Sequence, residues 1–306
     1  MKHFIAVSDY STAELRHMLD ISAQLKKSWK TRRRNETILA GQTLAMIFEK
    51  PSLRTRVSFA AAMVQLGGSS MMLRGEETGW GKREPIKDFA RVISSMCDGM
   101  MARTFSHDSV TELAKWSSVP VINGLTDYNH PCQAMADLMT VEEHFGNLSG
   151  LTMAFVGDGN NVARSLASAC GRFGTRFVLA SPKGYEFTKD ELKAMKKAVP
   201  GLDYTSCDDP REAVRLADVI VTDTWVSMGQ EEKKQQRLKD FAGFEVDAKL
   251  MAAAPKHAVV LHCLPSYRGL EISEEVIEGK QSLVFQEAEN RLHFQKGLLA
   301  VLMGGM

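Results

Sequence analysis

Strand-like runs alternate with amphipathic stretches along nearly the whole chain, and this alternation constrains the fold more than any other feature of the sequence. The strand-like runs lie at residues 44–48, 69–73, 100–102, 119–122, 152–156, 177–180, 203–206, 219–221 and 258–261. Two parallel strands need a crossover connection of about a dozen residues or more, and a helix usually provides it. Strands that alternate with helices are therefore expected to pair in parallel. The sequence therefore predicts an α/β fold of mostly parallel sheets flanked by helices.

The length of the chain, 306 residues, is more than one hydrophobic core usually holds and is typical of two domains. The segment 145–150 contains two glycines and is the most hinge-like stretch. We therefore expect a first domain at 1–146 and a second at 147–286. Residues 287–306 have the pattern of a final helix, long enough to cross back onto the first domain.

Composition excludes several classes of function. The net charge of +1 leaves no electrostatic footprint for nucleic acid or for an anionic membrane. The five cysteines are widely spaced and include no C-x-x-C pair, which is typical of reduced intracellular thiols and not of a disulfide framework or a zinc site. No apolar run approaches about 20 residues, so we expect a cytoplasmic protein that spans no membrane. The sequence has no metal-ligand spacing, so we expect neither a metal nor a cofactor.

The segment after the first strand-like run, 44–48, combines a helix start with hydroxyl and guanidinium groups. Ser52 is a candidate N-cap, and Arg54 and Thr55 fall in the first helical turn. Free N–H groups at a helix N-terminus favour a bound anion, and Arg54 adds a fork of donors that fits phosphate oxygens. The segment predicts a phosphate-binding turn; the alternative is a capped surface helix with solvated arginines.

Three more polar clusters follow predicted strands, where ligands bind in open parallel sheets. Arg103 follows the run at 100–102, and Cys263 follows the run at 258–261. His130 and Gln133 are three residues apart at a helix start and so share one face. Such side chains can donate hydrogen bonds to a carbonyl beside a phosphate, although His130 could also be an ordinary cap and Cys263 mere packing.

The pair Gly157-x-Gly159 suggests a nicotinamide-dependent enzyme as a rival, but two features of the fingerprint are absent. Val162 occupies the third small position, and the next strand is followed by Ser181 in place of an acid that would bind the ribose. The asparagines 160 and 161 at this helix start could instead donate to a carboxylate. Asp223, after another strand, could hold an ammonium group or could simply cap a helix.

These motifs resemble those of the aspartate/ornithine carbamoyltransferase superfamily. The carbamoyl-phosphate signature of the family, usually Ser-Thr-Arg-Thr-Arg, is similar to residues 52–56, Ser-Leu-Arg-Thr-Arg. Two matches are of ornithine type, Asp-x-x-x-Ser-Met-Gly at 223–229 and His-Cys-Leu-Pro at 262–265. Further matches are His-Pro-Cys-Gln at 130–133, Asp-Gly-Asn-Asn at 158–161 and Glu-Ala-Glu-Asn-Arg at 287–291. The resemblance therefore covers nearly the whole chain.

The resemblance implies transfer of a carbamoyl group from carbamoyl phosphate to the δ-amine of ornithine, without a cofactor. It implies that carbamoyl phosphate is bound by Ser52, Leu53, Arg54, Thr55, Arg103, His130, Gln133, Cys263, Leu264 and Arg291. The residues implied in the chemistry are Thr55, Arg103, His130 and Cys263. The α-amino and α-carboxylate groups of ornithine would contact Leu125, Asn161, Asp223, Ser227 and Met228.

The family is a trimer in which a loop from the neighbouring subunit completes the phosphate site, and the polar segment 75–84, which has the pattern of a mobile loop, is the candidate here. Two residues depart from the family pattern. Leu53 replaces the usual Thr, so only its backbone N–H could bind phosphate. Trp80 lies where relatives that use acylated ornithine carry an aromatic residue, which makes N-acetylornithine and N-succinylornithine alternative substrates. Putrescine, the substrate of another relative, is a further alternative.

Overall fold

A computed structural model describes residues 2–81, 83–226 and 231–306. The chain forms two compact units, the first comprising Met1–Ala136 and Glu289–Met306 and the second Asp137–Ala288. Helices α6 and α13, defined below, each begin in one unit and end in the other. The units therefore change within α6 and within α13, where the helices continue without a break. The predicted domain boundaries at 146 and 286 stay predictions.

The first unit contains a parallel sheet flanked by helices. Its strands are β1 (Thr43–Phe48), β2 (Ser69–Arg74), β3 (Gly99–Arg103) and β4 (Val121–Leu125), in the spatial order β2-β1-β3-β4. Its helices are α1 (Thr12–Arg32), α2 (Leu53–Gln65), α3 (Gly75–Thr78), α4 (Ile86–Ser94), α5 (His107–Trp116) and the start of α6 (Pro131–Phe145). Every strand pair is parallel, so the predicted fold class is confirmed for this unit.

The second unit contains a five-stranded parallel sheet. Its strands are β5 (Thr152–Val156), β6 (Arg176–Ala180), β7 (Tyr204–Cys207), β8 (Val219–Thr222) and β9 (Val259–His262), in the order β7-β6-β5-β8-β9. Its helices are α7 (Asn161–Phe173), α8 (Lys189–Ala198), α9 (Pro210–Val214), α10 (Lys234–Asp240), α11 (Ala248–Ala253), α12 (Glu274–Ile277) and the start of α13 (Val284–Leu302). The prediction of a mostly parallel sheet is confirmed here too.

The last helix, α13, packs closely on α1, as the sequence predicts. Lys26 Nζ on α1 donates to Asn290 Oδ1 on α13 at 2.7 Å. A Cβ at Gly297 would lie 2.0 Å from Ser22 Oγ, so only glycine permits this approach of the two helices. Because α1 belongs to the first unit, the C-terminal helix completes that unit.

Strand order fixes where a ligand can bind in each unit. In open α/β sheets the site is a crevice beyond the carboxyl ends of the strands, where the order of strands reverses. In the first sheet the reversal lies between β1 and β3, and in the second between β5 and β8. The chain leaves these strands at residues 49, 104, 157 and 223, next to the polar motifs of the sequence.

The segment 75–84 differs from its prediction as a mobile loop. Residues Gly75–Thr78 form the short helix α3, and Trp80 is only 3% exposed. The indole packs against Phe89, with ring centroids 5.6 Å apart, in a core that includes Ile47 and Ala102. Apolar burial of this one large side chain therefore holds a segment that is otherwise polar.

Within the described parts of the chain, no helix is long and apolar enough to cross a membrane. In the same parts, no three side chains from histidine, cysteine, aspartate or glutamate cluster in a way that could hold a metal ion.

Candidate active site

The N-terminus of α2 is capped as the sequence predicts. Ser52 Oγ accepts a hydrogen bond of 3.4 Å from the backbone N–H of Thr55. Leu53 is 74% exposed and its side chain has no polar atom, so it can contribute only its N–H. No ion pair within the described residues involves Arg54. A helix N-terminus of this kind favours a bound anion through its free N–H groups, and Arg54 lies in its first turn.

A cavity of about 410 Å³ borders this helix start. Its lining includes Ser52, Leu53, Arg56, Arg74 and Glu76. The resemblance does not assign Arg56 to carbamoyl phosphate, yet Arg56 is among the described lining residues of this cavity and Arg54 is not. The described lining also includes Glu49, so the formal charges of two arginines and two glutamates balance, and the helix N-terminus is the feature of this wall that favours an anion.

Two arginines meet at the hydroxyl of Thr55. Arg103, the last residue of β3, donates to Thr55 Oγ1 at 3.3 Å, and Arg291 of α13 donates to the same oxygen at 2.7 Å. Thr55 is fully buried, and both arginines are less than a tenth exposed. Two guanidinium groups so close together repel each other, and a bound anion would offset that repulsion.

His130 and Gln133 lie at the start of α6 in the same unit, and both are buried. Burial holds the pKa of His130 well below its ordinary value, and the charges of Arg291 and Arg103 lower it further. The imidazole is therefore neutral near pH 7 and keeps one N–H to donate. The remaining predicted residue of this unit, Leu125, ends β4, where its carbonyl accepts the N–H of Thr104 at 2.9 Å.

In the second unit, Asp223 brings together the residues that follow β5, β8 and β9. Its Oδ2 accepts from Asn160 Nδ2 at 2.8 Å, and its Oδ1 accepts from the Cys263 thiol at 3.1 Å. Asn160 also caps α7, accepting the N–H groups of Val162 and Ala163 at 2.9 and 3.0 Å. Asn161, the asparagine implied by the resemblance, is the first residue of α7.

Cys263 carries a protonated thiol. Burial raises its pKa well above the ordinary value, and the negative charges of Asp223 and Glu287 raise it further. A thiol in this state is a hydrogen-bond donor and a poor nucleophile. The neighbouring Leu264 has a positive φ of 55°. The remaining predicted residues of this unit, Ser227 and Met228, lie outside the described residues.

The turn that carries Cys263 and Leu264 is held by a buried network that the sequence did not reveal. His262 Nδ1 accepts the N–H of Leu264 at 2.9 Å, and His262 Nε2 lies 3.1 Å from Glu271 Oε1. The backbone N–H of His262 donates to Glu287 Oε2 at 2.7 Å. Glu287 belongs to a motif noted in the sequence, but nothing in the sequence pairs either glutamate with His262.

Comparisons with known proteins agree on one family. The model of the aspartate/ornithine carbamoyltransferase carbamoyl-P binding domain matches residues 2–143, and the model of the Asp/Orn binding domain matches residues 149–302. An ornithine carbamoyltransferase of Syntrophotalea carbinolica is 48% identical over 302 residues, covering 99% of both chains. One of Rhodopseudomonas palustris is 49% identical over 310 residues, covering 100% of this chain and 97% of the relative.

Solved structures agree with the sequence comparisons. The ornithine carbamoyltransferase of Pyrococcus furiosus superposes with a TM-score of 0.95 at 43% identity, covering 100% of this chain and 98% of that one. The anabolic ornithine carbamoyltransferase of Campylobacter jejuni superposes with a TM-score of 0.92 at 38% identity, covering 100% of both. The chain belongs to the aspartate/ornithine carbamoyltransferase family.

Proposed function

We propose that this protein transfers the carbamoyl group of carbamoyl phosphate to the δ-amine of L-ornithine, giving L-citrulline and phosphate in arginine biosynthesis. The observation that carries this proposal is 48% identity, over 99% of both chains, to a protein named ornithine carbamoyltransferase. The solved relative from Campylobacter jejuni is described as anabolic, which supports the biosynthetic direction.

The first unit supplies the groups for carbamoyl phosphate. We assign the phosphate to Ser52, Arg54, Thr55 and the N–H of Leu53, because they surround a capped helix N-terminus. The carbonyl end is assigned to Arg103, His130, Gln133 and Arg291, with Cys263 and Leu264 beside the reacting amine. The convergence of Arg103 and Arg291 on Thr55 supports this assignment, since it concentrates positive charge beside the phosphate end.

All the groups that we assign to ornithine except Leu125 belong to the second unit. Asp223 suits the α-ammonium group, because its three partners, Asn160, Cys263 and the N–H of Thr224, are all neutral. No arginine, lysine or histidine of the described chain forms an ion pair with it. Leu125, Asn161, Ser227 and Met228 complete the proposed amino-acid site, and Asn161 would donate to the α-carboxylate.

The reaction needs no covalent enzyme intermediate, because a neutral amine is itself a nucleophile. Attack of the δ-amine on the carbamoyl carbon forms a tetrahedral intermediate whose oxygen gains negative charge. Arg103, neutral His130 and Thr55 are the donors that would stabilise that oxygen. The S–H of Cys263 is donated to Asp223, so its sulfur would accept a hydrogen bond from the amine and orient it. Collapse of the intermediate breaks the bond to the phosphate oxygen; the proton lost by the amine would pass to the departing phosphate, whose charge Arg54 and the helix N-terminus would offset.

We further propose a cytoplasmic trimer, with each phosphate site next to a subunit interface. Helix α2 carries three exposed apolar side chains on one face, Leu53, Val57 and Val64, which are 74%, 56% and 70% exposed. Leu53 directly follows the N-cap of the proposed phosphate site. An apolar stripe of this kind is typical of a surface that another subunit covers.

Assays with carbamoyl phosphate and a panel of amines test the proposed function. We expect citrulline formation with ornithine and a kcat/KM at least 10²-fold lower with N-acetylornithine, N-succinylornithine, putrescine or aspartate. The burial of Trp80 in the core of its own unit supports free ornithine as the substrate, because a side chain packed there is not exposed to contact an acyl group. A preference for any other amine in the panel would refute the proposal while leaving the family assignment intact.

A further inference from the structure

Arg237, on α10 in the second unit, is a buried arginine whose contacts lie beside Asp223. It is 6% exposed. Its Nη2 donates to Asp158 Oδ2 and its Nε donates to the backbone carbonyl of Trp225. Its guanidinium carbon lies 4.8 Å from the ring centroid of Tyr185 and 5.1 Å from that of Phe241. The planar guanidinium group of Arg237 therefore joins two separate segments of the chain and packs against two aromatic rings.

The two segments that Arg237 bridges are those that carry the proposed ornithine groups. Asp158 precedes Asn160 in the segment after β5, and Trp225 follows Asp223 in the segment after β8. These segments also meet directly, since Asn160 donates to Asp223 at 2.8 Å. Displacing either segment would therefore move the Asp223 carboxylate.

Arg237 also gives the two neighbouring carboxylates different roles. Asp158 is paired with Arg237, whereas the described partners of Asp223 are neutral donors. Burial raises the pKa of Asp158, and the nearby negative charge of Asp223 raises it further. The charge of Arg237 opposes that rise. With Asp158 neutralised, Asp223 is the carboxylate left to attract an ammonium group.

We infer that Arg237 is a positioning residue for ornithine: it fixes the segments that bear Asn160 and Asp223 and neutralises Asp158, without touching the substrate. This inference rests on the proposed function, since it concerns the site assigned there to ornithine. The alternative is that Arg237 only stabilises the fold. The two differ in whether loss of Arg237 changes ornithine binding separately from carbamoyl phosphate binding.

The test is Arg237→Gln, which removes the charge and one arm of the fork. We expect the KM for ornithine to rise about tenfold to a hundredfold, since misplacing a binding group by about 1 Å has effects of that order. The dissociation constant of carbamoyl phosphate should stay within twofold. Arg237→Lys, which keeps the charge but not the planar fork, should give a smaller rise.

The matched control is Arg268→Gln. Arg268 lies in the same unit and pairs with Glu274 and Glu278, but its side chain is 38% exposed and it has no contact with Asp158 or Trp225. Its substitution should leave both substrates unaffected. An ornithine KM within twofold of the wild type for Arg237→Gln would overturn the inference, and so would an equal weakening of carbamoyl phosphate binding.

Two further measurements keep the test decisive. If Arg237→Gln does not fold, Asp158→Asn breaks the same ion pair with little change of shape and should also raise the ornithine KM. A wild-type ornithine KM in Asp158→Asn overturns the inference.

Hydrogen exchange tests the inference without substrate. The backbone amides 223–226 should exchange faster in Arg237→Gln or Arg237→Lys, and unchanged rates contradict the inference. Failure of the proposed function is separate, because it would show as a wild-type protein that makes no citrulline.

Discussion

Arg291 donates a hydrogen bond of 2.7 Å to the hydroxyl of Thr55, although the two residues are 236 positions apart. The contact exists because α13 returns to the first unit and packs against α1. It completes a cluster in which Arg103 and Arg291 donate to one oxygen. The last helix of the chain thus contributes directly to the proposed carbamoyl phosphate site.

Replacing Thr55 by valine tests this cluster. Valine has nearly the same shape but leaves two buried guanidinium groups without their shared acceptor. We expect kcat to fall by about 10²-fold or more, the effect of removing one donor group in comparable sites. Thr55→Ser keeps the hydroxyl and should retain most of the activity. Equal kinetics for the two variants, measured by citrulline formation, would show that the hydroxyl has no role.

Replacing Arg54 by alanine tests the phosphate assignment. A hydrogen bond to a charged group contributes about 1.5–3 kcal/mol, so the KM for carbamoyl phosphate should rise about tenfold to a hundredfold. Turnover should fall as well, because charge builds on the leaving phosphate. Arg34→Ala, an exposed arginine of the same unit, is the control. If the KM for carbamoyl phosphate rose more in Arg56→Ala than in Arg54→Ala, Arg56, which lines the cavity, would be the arginine that binds the phosphate.

Replacing Asp223 by asparagine tests the ornithine assignment. The amide keeps the size and one acceptor but cannot attract an ammonium ion. Loss of such a pair costs about 2 kcal/mol or more, which corresponds to a rise of roughly 30-fold in the KM for ornithine. Binding of carbamoyl phosphate alone, measured by calorimetry, should not change. The control is Asp208→Asn, an exposed aspartate of the same unit that pairs with Lys183.

The protonation state of Cys263 gives a fourth prediction. Because burial and Asp223 raise its thiol pKa, alkylation of Cys263 by iodoacetamide at pH 7 should be slow. Asp223→Asn removes the nearby negative charge, so the thiol pKa should fall and alkylation should speed up. Cys207, half-buried elsewhere in the unit, serves as the internal control in the same peptide map. Fast alkylation of Cys263 in the wild type would contradict a neutral thiol.

Local features of the structure followed well from the sequence. The N-cap at Ser52, the start of α4 after Pro85 and the strand β5 depend on patterns within a few residues. The helix α8 could also have been predicted, since Thr188 and Glu191 form a capping box in the structure. In each case the stabilising contacts join neighbours in the chain, so the sequence records them directly.

Contacts between distant segments could not be predicted from the sequence. The pairing of Arg237 with Asp158 and of His262 with Glu271 depends on which strands are adjacent in the sheet. The burial of Trp80 likewise depends on Phe89 and the first sheet, whereas its immediate neighbours in the chain are two glycines. β4 spans Val121–Leu125 in place of the predicted 119–122, because its pairing with β3 runs from Val121 to Leu125, with a register shift between Ala102 and Arg103. Long-range topology decides all of these features.

His293, fully buried in α13, predicts how stability changes with pH. Burial lowers its pKa from 6.5 to about 4, with a further contribution from the charge of Lys296. Below pH 6.5 the unfolded chain takes up a proton at this histidine that the folded protein excludes down to about pH 4. Stability is therefore lost as the pH falls through this window, by roughly 2 kcal/mol at pH 5 from this group.

His293→Gln removes the titrating group, so the loss of stability between pH 8 and pH 5 should be smaller than in the wild type by about that amount, roughly 2 kcal/mol. Urea unfolding at both pH values, followed by circular dichroism, measures the difference. His17→Gln, the same substitution at an exposed histidine of α1, is the matched control. If His293→Gln and the wild type lose equal stability over this range, His293 is not excluded from protonation in the folded protein, and its burial does not control the acid sensitivity of α13.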